Sequence, residues 1–142
     1  MRPRYATEND FPEVEALMRA CALPIEGVRA HIERYIVARD NAGLLGCAGI
    51  EQYGSVGLLR GLAVAQRARS AGLGELLIST IIADVRLRGV ESIVLQTTSA
   101  SAYFARLGFA PITTSEVPRA LLPLTEFPLG NTAEGIVMQT AL

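Results

Sequence analysis

The segment Arg69-Ser70-Ala71-Gly72-Leu73-Gly74 constrains this chain more than any other. It lies between a strand-like apolar run, Leu58 to Val64, and a helix-like run that starts near Gly72. The first turn of a helix carries unpaired N–H groups and the positive end of the helix dipole. Glycines let the backbone approach an anion without an intervening Cβ. A basic, glycine-containing turn between a strand and a helix therefore suggests a phosphate-bearing ligand. The competing reading is a tight turn whose glycines only allow close helix–strand packing. On the loop alone the two readings carry equal weight.

The 142 residues predict one domain, 1–142, and half of them are hydrophobic, enough for a substantial core. A net charge of −1, with basic residues spread along the chain, argues against a nucleic-acid partner. With one histidine and no Cys/His cluster, no metal is expected. Cys21 and Cys47 read as reduced, buried thiols in a chain without a secretory signal. No apolar run is long enough to cross a bilayer, so no membrane partner is expected and the default compartment is cytoplasmic.

Arg2 to Ala6 reads as a short strand, and Thr7, Asn9 and Asp10 offer caps for a helix over Phe11 to Cys21. A weaker helical signal covers Glu26 to Ile32. Tyr35 to Arg39, Leu44 to Tyr53 and Val56 to Val64 form an expected meander, joined by turns at Asp40–Gly43 and Gly54–Ser55. Leu73 to Arg88 has helical periodicity and stops at Gly89. Ile93 to Gln96 is expected as a strand parallel to the one before that helix, through a right-handed crossover. A helix over Ala100 to Leu107, a strand over Phe109 to Thr113, a short helix around Arg119 to Leu122 and a last strand over Ile136 to Thr140 complete the order. This order predicts an α/β (α+β) fold, with a mixed, mostly antiparallel sheet of six to seven strands and helices on both faces.

Two familiar nucleotide loops do not fit. A Walker A loop ends in Gly-Lys-Ser/Thr, whereas Glu75 follows Gly74 and no lysine is near. A Rossmann loop follows the first strand and carries a third glycine.

Leu59-Arg60-Gly61-Leu62-Ala63-Val64, with Arg69, Gly72 and Gly74 in the pattern Q/R-x-x-G-x-G/A, resembles motif A of the GCN5-related N-acetyltransferases. Tyr103-Phe104-Ala105-Arg106-Leu107-Gly108-Phe109 resembles a second segment of that family, and the strand order and the start of the chain are similar too. The resemblance implies acetyl-CoA as cosubstrate. It implies that backbone N–H groups of Arg69, Ser70, Ala71, Gly72, Leu73 and Gly74 hold the pyrophosphate, with charge added by Arg67 and Arg69. It also implies a bulged strand whose backbone at Leu62, Ala63 and Val64 pairs with the pantetheine arm. The arm would enter a splayed gap beside Ile93 to Gln96. Glu51, Tyr53, Gly54, Leu59, Arg60, Thr97, Thr98, the Tyr103–Phe109 segment and Thr125-Glu126-Phe127 look like the small arsenic-resistance N-acetyltransferases. The Leu58 to Val64 stretch also looks like the acetyltransferase domain of N-acetylglutamate synthases. These likenesses imply a small amino-acid-like amine as partner. Family members often pair as dimers.

The reaction implied is direct attack of an amine on the thioester carbonyl, with a proton leaving the amine and another reaching the thiolate. The family often uses a carboxylate as base and a tyrosine as acid. Here Phe104 stands at the tyrosine position, grouped with the cofactor-binding residues. Tyr103 lies one residue earlier, about 100° around a helix, and is expected to line the substrate pocket. Glu51 is the candidate base, with Thr97 and Ser99 as candidate hydroxyl groups. For both hydroxyls the plain alternative is capping of the next helix. Arg60, inside an apolar run, needs an anion; a substrate carboxylate or arsonate-like group would suit its fork. A structural Glu51–Arg60 pair is the alternative. Arg19 on the first helix is a further candidate for contacting substrate. Loss of the tyrosine at 104 also motivates a second class of function, a domain that binds acyl-CoA as a sensor without turnover.

Overall fold

The structure, a computed structural model, describes residues 2–121 and 135–142. Among the described residues seven strands form one mixed sheet: β1 (Arg4–Tyr5), β2 (Tyr35–Asp40), β3 (Gly43–Tyr53), β4 (Val56–Val64), β5 (Ser92–Thr97), β6 (Ala110–Pro111) and β7 (Ile136–Ala141). The helices are α1 (Phe11–Ala20), α2 (Leu73–Leu87) and α3 (Ser101–Arg106), with short 3-10 turns at Glu8–Asp10, Arg29–Arg34, Gln66–Ala68, Thr114–Glu116 and Arg119–Leu121. The strand order is β1-β2-β3-β4-β5-β7-β6. β4 and β5 are parallel, and β5 and β6 each pair antiparallel with β7. Most expected elements are present, with boundaries shifted by a few residues; the helical signal over Glu26 to Ile32 is instead a 3-10 segment at Arg29–Arg34, kinked at His31. The expected strand over Phe109 to Thr113 shrinks to two residues. Pro111 lacks an N–H, which confines such a segment to the sheet edge, and β6 is the terminal strand. The expected helix around Arg119 to Leu122 is a single 3-10 turn through Leu121; Leu122 and Thr125 to Phe127 lie outside the described residues.

Contacts divide the chain into two compact units, Met1–Glu51 with Leu59–Asp84, and Gln52–Leu58 with Val85–Leu142. The first unit is built on β1–β3 and the second half of β4. Val37 pairs with Cys47 and Tyr35 with Gly49 across β2 and β3. Its core gathers Val14 and Met18 of α1 with Val28, Ile32, Tyr35, Val37, Leu44, Cys47 and Ala63. The i, i+4 spacing of Val14 and Met18 puts both on one helix face. Gly46 is where α2 lands on β3. A Cβ there would lie 3.0 Å from Leu73 Cδ2 and 3.1 Å from both Leu77 Cδ1 and the Ala63 carbonyl oxygen. Absence of that carbon lets the first turns of α2 press on the strand.

The second unit packs Val56, Leu58, Val94, Val117 and Leu121 together, with Tyr53, Ile112 and Val137 around them. β7 lies between β5 and β6, with Leu95 opposite Met138 and Pro111 opposite the same methionine.

Buried Asp10 ties β1 to the entry of α1. It accepts from Arg4 at 2.9 and 3.0 Å, from the Thr7 N–H at 2.8 Å and from Arg39 at 3.4 Å. The hydrogen bonds from Arg4, together with those from Thr7, outweigh burial and lower its pKa to about 2. The folded value lies below the unfolded one, so the stabilisation is complete above about pH 4 and is lost as pH falls through about 2. Asp10→Ala is expected to reduce stability at neutral pH by roughly 2 kcal/mol. Urea unfolding across the acid range checks this: the variant should lose less stability than the wild type on acidification. Parallel acid profiles would contradict it.

Candidate functional site

The first unit holds β4, the turn after it and the start of α2, and with them most of the residues singled out from the sequence. Within β4, Gly61 takes φ +63, a left-handed conformation. Beyond it Leu62 and Val64 are half-buried and Ala63 is buried. Ala65 then donates its N–H to the Leu45 carbonyl at 2.8 Å, anchoring the end of the strand to β3.

The turn that follows has two left-handed residues, Ser70 at φ +67 and Gly72 at φ +78, with Ala71 between them. Such alternation turns successive N–H groups toward a common concavity. A non-glycine residue in this region is strained by roughly 1–2 kcal/mol. Arg69 to Gly72 are exposed, whereas Leu73 and Gly74 are buried as α2 begins. The first backbone bond of the helix runs from the Leu76 N–H to the Gly72 carbonyl, at 3.1 Å. The N–H groups of Leu73, Gly74 and Glu75 therefore precede the intrahelical ladder.

The two arginines of this turn are engaged elsewhere. Arg67 forks onto Asp40 at 2.7 and 2.9 Å, and this pairing lowers the Asp40 pKa to about 2. Arg69 folds back along the chain: its Nε donates to the Val64 carbonyl at 3.1 Å, and its Nη2 lies 3.7 Å from Cys21 Sγ. What the turn offers an anion is thus chiefly backbone N–H, with the Arg69 charge beside it.

Glu51 and Arg60 meet. Arg60 Nη1 donates to Glu51 Oε2 at 3.0 Å, and Nη2 donates to the Glu26 carbonyl at 3.2 Å. Their side chains are 7% and 17% exposed, so this is a largely desolvated pair. Arg19 is not part of that group; it is exposed and pairs with Glu15 along α1 at 3.6 Å.

The second unit holds the remaining candidates. Thr97 Oγ1 accepts the Ala100 N–H at 2.9 Å, closing the turn that leads into α3; the N-cap itself is Ala100, so Thr97 does not cap the helix. Ser99 is exposed in the same turn. Phe104 is buried edge-on against Phe109, with ring centroids 5.8 Å apart. Tyr103 is half-buried, 5.3 Å from the Phe104 ring and under the Arg106 guanidinium.

Sequence reasoning passed over Tyr35 and Gly49; of the two cysteines expected as reduced, buried thiols, both are free, but Cys21 is only half-buried. Tyr35 is 2% exposed. A Cβ on Gly49 would fall 2.5 Å from its Cζ, and a Cβ on Gly61 would fall 2.9 Å from its Cε2 and 3.1 Å from its Oη. Cys47 is a free, buried thiol that donates to the Gly61 carbonyl at 3.4 Å. Burial raises its pKa to about 12, so it stays a neutral donor. The available signal was glycine inside two strands, Gly46 and Gly49 in β3 and Gly57 and Gly61 in β4. Among the described residues no group of three or more His, Cys, Asp or Glu could hold a metal ion, and no helix is long and apolar enough to cross a membrane.

A family model described as acetyltransferase (GNAT) domain matches residues 31–111. That is more than half of the chain, and the chain belongs to this family. An uncharacterized N-acetyltransferase of Chlorobaculum tepidum is 29% identical over 98 residues, which cover 68% of this chain and 63% of that protein. The fold is similar to N-acetylglutamate synthase from Neisseria gonorrhoeae complexed with coenzyme A and N-acetyl-glutamate. The TM-score is 0.87 at 24% identity, over 99% of this chain and 35% of that one. It is also similar to Rv2747 from Mycobacterium tuberculosis in complex with CoA and NLQ, with a TM-score of 0.83 at 18% identity, over 100% of this chain and 99% of that one. This chain thus spans less than two thirds of the curated relative and about a third of the synthase.

Removing one partner of the Glu51–Arg60 pair strands a buried charge. Arg60→Met is expected to cost roughly 3 kcal/mol, and Glu51→Gln combined with it less than the sum of the two single losses. Urea denaturation of the four proteins measures the coupling. Additive losses would mean that the two charges do not stabilise each other.

Proposed function

We propose that this chain is an acetyl-CoA-dependent N-acetyltransferase of a small, anionic, amino-acid-like amine. The observation that carries the reading is the turn at Ser70 and Gly72, whose two left-handed residues lead into the unpaired N–H groups of α2. A pyrophosphate suits such a turn, because N–H groups and helix dipole act on it together. Family membership and similarity to folds solved with coenzyme A support the same reading. The backbone of Leu62 to Val64, past the bend at Gly61, is the candidate partner of the pantetheine amides.

The amine nitrogen attacks the thioester carbonyl, the carbon–nitrogen bond forms, and the carbon–sulfur bond breaks to release the thiol. One proton leaves the nitrogen and one reaches the sulfur. One oxygen of Glu51 is already engaged by Arg60 Nη1, at 3.0 Å. Glu51 is the candidate carboxylate for the incoming amine, with water carrying the proton onward. Arg60, kept in place by Glu51 and the Glu26 carbonyl, is the candidate contact for an acceptor carboxylate. Glutamate-like and arsenic-containing amino acids both answer this description.

Phe104 favours a second reading, a domain that binds acyl-CoA without turnover, because its ring is packed on Phe109 and bears no hydroxyl. A calorimetric titration with coenzyme A, followed by thiol-release assays over a panel of amino acids, separates the readings. Binding with turnover supports the transferase; binding without turnover on any amine supports the sensor; ATP or NAD binding in place of coenzyme A overturns both. Gly72→Ala should weaken coenzyme A about fivefold, since its φ of +78 is strained for any side chain even though space for a Cβ is open. Unchanged affinity would remove the turn from the binding site.

A further inference from the structure

The left-handed Gly61 is packed against by residues of other elements, and the geometry points to Tyr35 as the positioning residue that sets the cofactor-facing backbone of β4. Tyr35 is paired with Gly49 across β2 and β3, and its ring occupies the volume that a Gly49 side chain would need, 2.5–2.7 Å from the site of that Cβ. The same ring reaches Gly61, where a Cβ would lie 2.9 Å from Cε2 and 3.1 Å from the hydroxyl oxygen. Met18 Cε closes on the Gly61 site as well, at 3.0 Å. From the carbonyl side, the neutral Cys47 thiol donates to Gly61. Gly61 is thus fixed by a buried ring and a buried thiol, in a left-handed conformation that a plain strand lacks. That conformation fixes the direction in which the N–H and C=O groups of Leu62, Ala63 and Val64 point. Tyr35 needs no contact with a ligand to control it: the ring sets the bend, and the bend sets the strand edge.

This inference rests on the acetyl-CoA reading of β4, and its test keeps the two separable. Coenzyme A affinity is measured by calorimetry on wild type, Tyr35→Phe, Tyr35→Leu and Gly49→Ala, with the KM for the amine taken at saturating acetyl-CoA. Tyr35→Phe preserves the ring and should bind coenzyme A within about twofold of wild type. Tyr35→Leu removes the ring and Gly49→Ala displaces it; each should weaken coenzyme A by about tenfold and leave the amine KM unchanged. A purely structural role would lower thermal stability while sparing cofactor affinity in whatever remains folded. Gly49→Ala leaves the residues at 35 and along β4 unchanged and acts only by displacing the ring, so it decides the matter if Tyr35→Leu fails to fold. Folded Gly49→Ala protein with wild-type affinity overturns the proposal. Failure of the wild type itself to bind coenzyme A overturns the acetyl-CoA reading instead.

Discussion

The Tyr35 ring fills space that every other amino acid at positions 49 and 61 would claim for a side chain. Its packing requires glycine at both positions, and one of those glycines is the left-handed residue that bends β4. The rest of the first unit is arranged around this contact. Val14 and Met18 of α1 pack in the core that holds the ring, and Cys47 secures the carbonyl of the bent residue. At the end of the same strand, Ala65 is tied to Leu45 and Arg69 to Val64, so the turn into α2 leaves β4 at a fixed place. Leu73 and Leu77 seated at Gly46 fix the helix that follows.

Charge contributes differently from what a count of arginines suggests. Arg67 is spent on Asp40, and Arg69 is folded onto its own backbone and Cys21. The anion-binding capacity of the turn therefore lies mainly in its N–H groups, which carry no signature in a net charge of −1. The Glu51–Arg60 pair is different: two charges are buried together, 3.0 Å apart, each dependent on the other.

The meander, the crossover helix and the glycine turn were legible because each has a local cause. Asp40–Gly43 and Gly54–Ser55 are turn chemistry, Leu73 to Leu87 is periodicity, and β4 has the bounds expected of it, Val56–Val64. The pairing of β7 between β5 and β6 was not legible, since register between distant strands leaves no mark in either one. The same holds for Tyr35. Its aromatic character in a strand is ordinary, and only the spatial coincidence with Gly49 and Gly61 gives it a role. Arg67, which the resemblance implies near the pyrophosphate, and Thr97, a candidate hydroxyl, each have a protein partner in the structure, Asp40 for one and the Ala100 N–H for the other.

A crystal structure of the protein with coenzyme A bound tests the central claim most directly. The account predicts pyrophosphate oxygens within hydrogen-bonding distance of backbone N–H groups between Arg69 and Gly74, with Gly61 still left-handed against Tyr35. A pyrophosphate held away from that turn, or a bend at Gly61 that persists with the Tyr35 ring displaced, would contradict it.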